Sequence, residues 1–503
     1  MKASTKVVFN TVVLYLKIIV SLSIAMISIP LVLKALGASD YGLYNLIAGI
    51  VTMLAFLNNS MTVSSQRYMS VAMGEGDRTK INRIYNSSFV LHAALALLIV
   101  FVLEILGIPS IGKLNIEPQR VWCAHLIFQF LVLSFASKVI AVPFDALMNA
   151  QEDMLAFSVI ELIDSIIMLT IAFVLQYIPF DKLAFYGVAV SFIAVFTLLM
   201  KYGWCRHSYK NFYLKRKLMG DKKLTKEMLG FTGWNLLGGL AMMGRNQGVA
   251  VIFNIFLGTL ANAAYGVANQ INSALSQFSS TFQRAINPQL MKSEGMGNRH
   301  RLQRISYISS KFSVLALCLF AIPLIMLMDD VLSIWLGGNT PPFTTELAIC
   351  ILILSIAYQF STGLMSAIQA TGKIKNYQIV ISCIILINIP LSYVILKIGC
   401  PIYYVTIGFI LMEILSLVIR LFMAQNIAGL KARLFFEQVI LPCTKIVVIA
   451  TIVSIIPFVL VSSGWPRIIL VSVSYGIMYL LMMWCFALDQ SQKQSLISKI
   501  HKK

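Results

Sequence analysis

Three basic residues lie inside long apolar stretches of the sequence, where an ionised side chain needs a polar partner: Lys17, Arg245 and Arg284. Facing lipid, each would cost about 2.5–3.5 kcal/mol, so each is expected to point into protein or water. Lys17 and Arg245 have no acidic residue within one turn of their own helices, which predicts unpaired cations. Arg284 is near a predicted helix end, where snorkelling to the surface is an equal alternative. Because a guanidinium matches phosphate oxygens bidentately, these cations favour a phosphate-bearing anion as the bound species.

Acidic residues also occur within the apolar stretches. Glu161 and Asp164 are one helical turn apart and offer a site for a coupling cation or proton, with a structural role as the alternative. Glu413 and Arg420 are seven residues apart on one predicted helix face, which predicts a local charge-balanced patch. Three lysines near predicted helix ends are expected to snorkel: Lys138, Lys311 and Lys445.

Polar side chains form stripes on three predicted helices. The first helix carries Asn10, Lys17, Ser21 and Ser28. The second carries Asn45, Thr52, Asn59 and Gln66. The eighth carries Asn269, Asn272, Ser276 and Gln283. Such residues either join helices, for about 0.6–2 kcal/mol each, or line a wet central cavity. The breadth of the stripes favours the cavity, in which cations would hold a polyprenyl diphosphate head group and polar residues its sugars.

The elements that position these residues are transmembrane helices. Of 503 residues 58% are hydrophobic and 12% charged, too few polar groups to cover a soluble particle. About fourteen apolar runs are long enough to span a bilayer, so the sequence predicts an all-α polytopic membrane protein. The net charge of +20 resides in short gaps between the runs, which argues against nucleic-acid binding. The eight cysteines are scattered, which predicts no metal site and no disulfide.

The distribution of Lys and Arg predicts the orientation. With the N-terminus inside, the inner gaps and termini hold about 27 of these residues and the outer gaps about 6. Both termini are therefore expected in the cytoplasm, with the first helix as an uncleaved anchor. The densest basic gap, 206–227, is an inside-facing loop that could also contact anionic lipid headgroups.

An internal repeat predicts two lobes. Residues 76–84 align with 297–305 at a shift of 221, as does Leu36-Gly37 with Leu257-Gly258. Residues 146–150 align with 366–370 at a shift of 220. The predicted organisation is a six-helix lobe at 1–205, a basic linker at 206–227, a second six-helix lobe at 228–424 and a helix pair with a tail at 425–503. An even helix number gives both lobes one orientation, with a substrate path between them.

Two stretches resemble a known family. Residues 36–44, LGASDYGLY, are similar to the L-G-x-x-[DE]-Y-G-x-[YF] stretch of polysaccharide export flippases. Residues 146–154 resemble the A-L-L-x-A-Q element of the same family, which handles O-antigen or capsule repeat units. These flippases belong to the multidrug/oligosaccharidyl-lipid/polysaccharide exporter superfamily.

The resemblance implies a V-shaped pair of lobes in the bacterial inner membrane that flips undecaprenyl-diphosphate oligosaccharides outward by rocking. It implies no cofactor and no catalytic residue. Membrane lipids, Na⁺ or H⁺ and polysaccharide polymerase machinery are the expected partners. Lys17, Arg245 and Arg284 are then the candidate cations of the cavity.

Two other functions remain open at this point. A cation-coupled drug or metabolite antiporter would require Glu161 or Asp164 and dispense with Lys17. A membrane glycosyltransferase or polymerase would need catalytic acids near a large outer loop, and the longest outer gap, about 329–344, is too short for a domain.

Overall fold

The computed structural model describes residues 3–52, 54–112, 114, 116–215, 221–337, 340–488 and 493. All regular secondary structure in these residues is helical, which confirms the predicted all-α class. Residues 216–220 of the predicted basic linker, and 489–492 and 494–503 of the predicted tail, lie outside the described residues.

Seventeen α-helices follow one another along the described ranges. The first eight are α1 Ala3–Thr52, α2 Ala55–Glu75, α3 Arg78–Val102, α4 Ile108–Ile111, α5 Val121–Ala150, α6 Met154–Val174, α7 Lys182–Ser208 and α8 Lys222–Gly295. The next five are α9 Arg299–Met326, α10 Met328–Trp335, α11 Thr344–Phe360, α12 Thr362–Thr371 and α13 Lys375–Lys397. The last four are α14 Ile402–Ala428, α15 Ala432–Phe435, α16 Leu441–Leu460 and α17 Trp465–Met482. Short π-helical turns at Leu103–Gly107, Phe436–Ile440 and Met483–Ala487 extend or join some of them.

The number of helices that can cross a membrane agrees with the sequence. Eleven helices of the described chain are long and apolar enough, and two bent pairs, Ser39–Thr52 with Ala55–Glu75 and α11 with α12, also qualify. The 74-residue α8 is one of these eleven helices, although it consists of two helices joined at Gly258. If its two halves are counted separately and each bent pair is counted as one span, the number of spans is the fourteen that the sequence predicts. Large apolar side chains are exposed along these helices, as a surface in contact with lipid requires.

The chain divides into two compact units. Unit 1 comprises Met1–Leu236 and Met291–Gly297, and unit 2 comprises Leu237–Leu290 and Asn298–Lys503. Both are therefore built partly from α8. The predicted boundaries of the lobes, linker and helix pair stay predictions.

The centre of unit 1 is α5, whose central positions are almost all buried. Cys123, Ile127, Phe128 and Val139 have no exposed side-chain surface. The family-like stretch after Gly37 packs on α7, where the Tyr44 and Tyr186 rings meet edge to face at 4.8 Å.

Unit 2 has two apolar cores. One joins the middle of α8 to α10, α11 and α14. The other joins α9 to the helix pair α16–α17, where the hydroxyls of Tyr475 and Tyr479 donate to the carbonyls of Cys318 and Leu315. Lys311 lies in this second core: it is 8% exposed and its Nζ donates to the Ala487 carbonyl at 2.7 Å. The prediction that Lys311 snorkels is therefore wrong, because a carbonyl at the end of the last helix supplies its acceptor.

Glycines bend both units at matching sequence positions. Gly37 within α1 has φ 79° and ψ 166°, and Gly258 within α8 has φ 76° and ψ −168°. A side chain is strained at such a φ, so glycine is the residue that allows these breaks. The repeat seen in the sequence is thus also a match of backbone conformation.

A close helix crossing in unit 1 is formed by residues that are related by the same sequence shift of 221. A Cβ on Gly74 would overlap the carbonyl oxygen of Lys292, and a Cβ on Gly295 would overlap that of Val71. Positions 74 and 295 are equivalent in the repeat, and so are positions 71 and 292. At the C-terminal ends of α2 and α8, each helix therefore places an equivalent glycine against an equivalent carbonyl of the other. Beside the crossing, the Lys292 ammonium pairs with the buried Glu152 carboxylate.

Amide side chains on α3 hold the chain that follows α7. Asn82 donates to the Asn211 carbonyl at 2.9 Å and accepts from the Tyr213 amide at 3.1 Å. Asn86 donates to the Tyr213 carbonyl at 3.0 Å and accepts from the Lys215 amide at 2.7 Å. One turn of α3 thereby holds the backbone of residues 211–215 through these four hydrogen bonds.

The equivalent turn of α9 does the same in unit 2. Gln303, the repeat equivalent of Asn82, donates to the Gly429 carbonyl at 2.8 Å. Tyr307, the repeat equivalent of Asn86, accepts from the Lys431 amide at 2.8 Å. The helix starts match too, since the side chains of Asp77 and Asn298 cap α3 and α9. The Asp77 carboxylate accepts hydrogen bonds from the Lys80 backbone amide and from the Thr79 hydroxyl, and both lower its pKa.

The crossing of α2 and α8 makes Gly295 sensitive to one added methyl group. Gly295→Ala should lower the stability of the purified protein by about 1–3 kcal/mol, because the new Cβ forces two backbones apart. Thermal unfolding in detergent, followed by intrinsic fluorescence, measures the loss. Gly203→Ala in α7 is the matched control, since no atom lies within 4 Å of a Cβ at that position. Equal melting temperatures for the two variants would contradict the close crossing.

Candidate functional site

Four charged side chains from four helices form a charged cluster in unit 1. Lys201 of α7 lies 2.9 Å from Asp145 of α5 and 2.9 Å from Glu161 of α6. Lys17 of α1 approaches Glu161 at 3.6 Å. Lys201 is 7% exposed, so a charge there is stable only because two carboxylates surround it. The cluster contains two bases and two acids and is formally neutral.

The prediction of an unpaired Lys17 is wrong. The sequence excluded an acid only on the same helix, whereas Glu161 reaches Lys17 from α6. The rest of the polar face of α1 follows the same pattern. Ser21 lies 3.4 Å from Ser165 of α6, and Asn10 donates to the Glu152 carbonyl at 3.1 Å. Lys17, Ser21 and Asn10 therefore join α1 to neighbouring elements of unit 1, whereas the Ser28 hydroxyl donates to the Ile24 carbonyl of its own helix.

Sequence reasoning missed Lys201 and Asp145. One of the apolar runs of the sequence covers about 184–203 and places Lys201 near a predicted helix end, but α7 continues to Ser208 and Lys201 is buried. The repeat contained a signal that could have found it. Arg420 occupies nearly the same place in α14, which has 27 residues like α7, and it is also buried.

Asp164 lies beside the charged cluster but binds differently. Its carboxylate accepts a hydrogen bond of 2.8 Å from the Thr197 hydroxyl. It also lines a cavity of about 200 Å³ together with hydroxyl-bearing residues: Ser21, Ser28, Tyr41, Ser165 and Tyr186. A carboxylate among hydroxyl oxygens fits a proton or a small monovalent cation. The described residues contain no group of three or more His, Cys, Asp or Glu side chains that could hold a metal ion.

Unit 2 contains a buried ion pair of its own. Arg420 is 2% exposed, and its guanidinium pairs with Glu413 and donates to the Ser361 hydroxyl at 3.0 Å. The charge-balanced patch expected from the spacing of these two residues is thereby confirmed. Tyr358 adds a ring 5.6 Å from the guanidinium.

Arg245 differs from the other buried cations. Its guanidinium donates to the Asn246 side chain at 3.1 Å and lies 5.8 Å from the centre of the Phe409 ring. Within the described part of the chain, no carboxylate lies within 4.0 Å of it. The Glu413 carboxylate, which is in contact with Arg420, also acts electrostatically on Arg245. The assignment of Arg245 to a substrate site stays a prediction.

Arg284 is exposed on α8, eleven residues before the end of the helix at Gly295. The helix is longer than predicted, so Arg284 is farther from a terminus than the sequence indicates. Its assignment to a substrate site stays a prediction.

The two remaining polar stripes behave differently from each other. On the second predicted helix, Asn45, Thr52 and Asn59 are exposed, and Asn45 and Thr52 bond carbonyls of their own helix. On the eighth, Ser276 lies 3.3 Å from Ser355 and Gln283 donates to Gln359 at 3.4 Å. The remaining members bond within their own helix or are half-buried: Gln66, Asn269 and Asn272. Residues of the eighth helix thus join α8 to α11, and the lining of a cavity stays a prediction.

The family-like stretch at 36–44 has a structural explanation. Gly37 breaks the helix, and Asp40 then accepts a hydrogen bond of 2.7 Å from Arg120, which also pairs with Asp181. Asp181 caps α7 through the Ala184 amide at 2.9 Å. Burial would raise the pKa of the Asp181 carboxyl, but that amide and the Arg120 charge lower it. The acidic position of the motif fastens the bend of α1 to the start of α7.

The buried pair of unit 2 predicts strong coupling between its members. Arg420→Met should cost about 3–5 kcal/mol, because the Glu413 carboxylate is left buried without its cation. The double variant Arg420→Met with Glu413→Gln should recover most of that stability, since both charges are gone. Melting curves of the purified proteins in detergent measure both values. A double variant as unstable as Arg420→Met alone would contradict the ion pair as the source of the loss.

Comparison with known proteins shows the family to which this sequence belongs. The sequence model of a family described as "Polysaccharide biosynthesis protein" matches residues 7–294, more than half of the chain. The uncharacterized membrane protein EpsK of Bacillus subtilis (strain 168) is 20% identical over 495 residues, which cover 94% of each chain.

Solved structures share the fold. An outward-facing multidrug resistance MATE family transporter of the MOP superfamily superposes with a TM-score of 0.72 at 13% identity, over 84% of this chain and 95% of that one. A MOP superfamily transporter from Pyrococcus furiosus, described as having a binding pocket of reverse polarity, gives 0.69 at 14% identity over 85% and 96%. This chain thus shares its fold with membrane transporters of the MOP superfamily. With its many candidate membrane-spanning helices and its matched sequence, it is a multi-pass membrane protein and belongs to the polysaccharide biosynthesis protein family.

Proposed function

We propose that the protein is a flippase that moves undecaprenyl-diphosphate-linked oligosaccharide repeat units across the bacterial inner membrane by alternating access. Its product would serve the assembly of a surface polysaccharide such as O-antigen, capsule or exopolysaccharide. Both termini are proposed to lie in the cytoplasm. Membership of a polysaccharide biosynthesis family and the transporter fold support this function.

The single observation that carries the proposal is that, among the described residues, no carboxylate is in contact with Arg245. Every ionised group on an apolar helix must be neutralised, and Lys17, Lys201 and Arg420 have carboxylate partners within their own units. Among the described residues, Arg245 is in direct contact only with a neutral amide acceptor and an aromatic ring. The more distant Glu413 carboxylate acts on both Arg245 and Arg420. A diphosphate would supply the missing negative charge and accept paired N–H bonds from the guanidinium.

Lys17 has a smaller part in this proposal than the sequence implies. Its ammonium is neutralised by Glu161, which in turn is shared with Lys201. It therefore contributes to the charged cluster that holds α1, α6 and α7 together. A direct contact with substrate would require Lys17 to leave Glu161.

The second candidate function is an antiporter driven by a monovalent cation. The position of Asp164 in a hydroxyl-lined cavity favours it, because such a site can exchange a proton or Na⁺. The two functions are compatible if the cation drives the flippase. They differ in the transported molecule.

Arg245→Ala should strongly reduce surface polysaccharide and cause the lipid-linked repeat unit to accumulate on the inner leaflet. A charge-assisted contact with phosphate contributes about 1.5–3 kcal/mol, so a loss of transport of about tenfold to a hundredfold is expected. Radiolabelled lipid-linked glycan in inner membranes and surface polysaccharide on cells are measured together. Arg245→Lys should retain part of the transport.

The matched control is Gln247→Ala, an exposed polar residue two positions further along the same helix. It should leave export unchanged. Normal export by Arg245→Ala, at membrane levels equal to wild type, would refute the proposed role of its charge.

Asp164→Asn separates the cation-driven step from substrate recognition. If Asp164 carries the coupling cation, the variant should lose the stimulation of transport by a Na⁺ or proton gradient while still binding lipid-linked substrate. Transport into vesicles with and without each gradient measures this. An Asp164→Asn variant that responds to both gradients as the wild type does would exclude Asp164 as the coupling site.

A further inference from the structure

We infer that the ion pair between Glu152 and Lys292 is a latch that holds the ends of α2 and α8 together, and that this latch opens during transport. Glu152 lies in the turn between α5 and α6, within the stretch 146–154 that resembles an element of polysaccharide export flippases. The opening during transport rests on the proposed function. The contacts of the latch are all within unit 1.

Glu152 occupies a backbone position that is usually glycine. Its amide donates to the Asn149 carbonyl at 2.9 Å, and the Asp153 amide donates to the Met148 carbonyl at 3.0 Å. These two hydrogen bonds end α5 in a Schellman motif, which places Glu152 in the left-handed region at φ 59°. A side chain makes this conformation costly, so the glutamate is strained where a glycine would not be.

The second repeat has glycine at the same position. At the repeat shift of 220, Glu152 corresponds to Gly372, which follows the end of α12 at φ 79°. The Gly372 amide donates to the Gln369 carbonyl at 3.1 Å, which is the same bond that Glu152 makes to Asn149. The turn therefore forms without a side chain. What the glutamate adds must come from its carboxylate.

The Glu152 carboxylate is buried and reaches another helix. It is 4% exposed and pairs with the ammonium of Lys292, close to the end of α8. Lys6 of α1 approaches the carboxylate at 3.9 Å and donates to the neighbouring Gln151 carbonyl at 3.0 Å. Asn10, one turn further along α1, donates to the Glu152 carbonyl at 3.1 Å. One turn of the chain thereby holds the start of α1 and the end of α8.

Lys292 connects the ion pair to the helix crossing. Its carbonyl oxygen is the atom that a Cβ on Gly74 would overlap, and its ammonium is held by Glu152. The turn that carries Glu152 follows α5, and α5 packs on α2. If the end of α8 moves away from α2 by more than the reach of an ion pair, the Glu152 carboxylate is left buried without its cation. The pair therefore opposes separation of the crossing.

The latch has no equivalent in the repeat. Lys292 corresponds to Val71 at the shift of 221, and Glu152 corresponds to Gly372 at the shift of 220. Neither equivalent residue can ionise, although the glycines of the crossing do match. A single ion pair beside an otherwise matching crossing points to control of its opening, because the glycines already provide the close packing.

The place of Lys292 in the chain gives its release a consequence. Met291–Gly297 belongs to unit 1, whereas Leu237–Leu290 and the chain from Asn298 onwards belong to unit 2. The segment that the latch holds is thus continuous with unit 2 at both of its ends. Movement of either neighbouring helix would pull on the ion pair, as expected of a gate in alternating access.

Alkylation of a cysteine buried in this segment measures how often the crossing opens. Ser293 has no exposed surface, so Ser293→Cys should react with N-ethylmaleimide only when the end of α8 separates from its neighbours. In this background Glu152→Gln should speed alkylation about tenfold to a hundredfold, as expected when a charge-assisted contact is lost. Peptide mass spectrometry of the full-length protein in liposomes reads position 293 separately from the natural cysteines.

Glu152→Gly distinguishes a latch from a residue needed only for stability. Because glycine relieves the backbone strain, this variant should melt at a higher temperature than Glu152→Gln. Its alkylation at position 293 should nevertheless be as fast, because the carboxylate is equally absent. Alkylation that slows in step with the higher melting temperature would overturn the latch, since opening would then merely follow stability.

The partner residue provides a second test. Lys292→Gln alone, and Lys292→Gln combined with Glu152→Gln, should both be alkylated about as fast as Glu152→Gln, because all three variants lose one and the same contact. Accelerations that multiply in the double variant would overturn the ion pair as the latch.

Glu75→Gln is the matched control. Glu75 ends α2 at the same crossing, but it pairs with Lys80 of α3 at 2.6 Å. This variant should be alkylated as slowly as Ser293→Cys alone. Equal acceleration by Glu75→Gln and Glu152→Gln would overturn the assignment of the latch to Glu152.

The link to transport is tested in the same liposomes. Adding an undecaprenyl-diphosphate oligosaccharide should speed alkylation of Ser293→Cys, because the crossing would open in each cycle. A protein that flips the glycan with no change in alkylation would overturn the opening of the latch during transport. A protein that flips no glycan, while Glu152→Gln is still alkylated faster, would contradict the proposed function and leave the latch in place.

Discussion

The constraint on which this structure depends is the cost of an ionised side chain inside a membrane protein. Each such charge needs a counter-charge, a set of hydrogen bonds or a ligand. Lys201 has two carboxylates, Arg420 has Glu413 and a serine hydroxyl, and Lys17 shares Glu161. These paired charges hold helices together, and we propose that a cation without a carboxylate in contact marks where a substrate binds.

Neutral clusters and uncompensated cations have different consequences for function. A buried pair with a fixed partner is part of the scaffold, so its loss is felt as stability. Arg245 has no carboxylate in contact among the described residues, and we propose that an anion reaches it without first breaking an ion pair. We propose that a diphosphate on a lipid carrier provides the negative charge and leaves again during transport. Asp164, in a cavity with hydroxyl-bearing residues, is the proposed site of a coupling cation in unit 1.

Much of the fold was predictable because hydrophobicity and helix breakers are local signals. The number of membrane-spanning helices, the all-α class and the internal repeat all came from the sequence. The repeat proved to be physical, since Gly37 and Gly258 share a positive φ and Asn82 and Gln303 hold equivalent segments. The charge partners were harder to predict. Glu413 and Arg420 were paired correctly because they are on one helix, whereas Glu161 reaches Lys17 and Lys201 from another.

The central claim is that a polyprenyl-diphosphate glycan is the transported molecule. Purified protein reconstituted into liposomes with a fluorescent undecaprenyl-diphosphate oligosaccharide in the accessible leaflet tests it most directly, with a membrane-impermeant quencher reporting translocation. We predict protein-dependent flipping of the diphosphate-linked glycan and no comparable movement of a cationic drug. Liposomes that move the drug and leave the glycan in its original leaflet would contradict the claim.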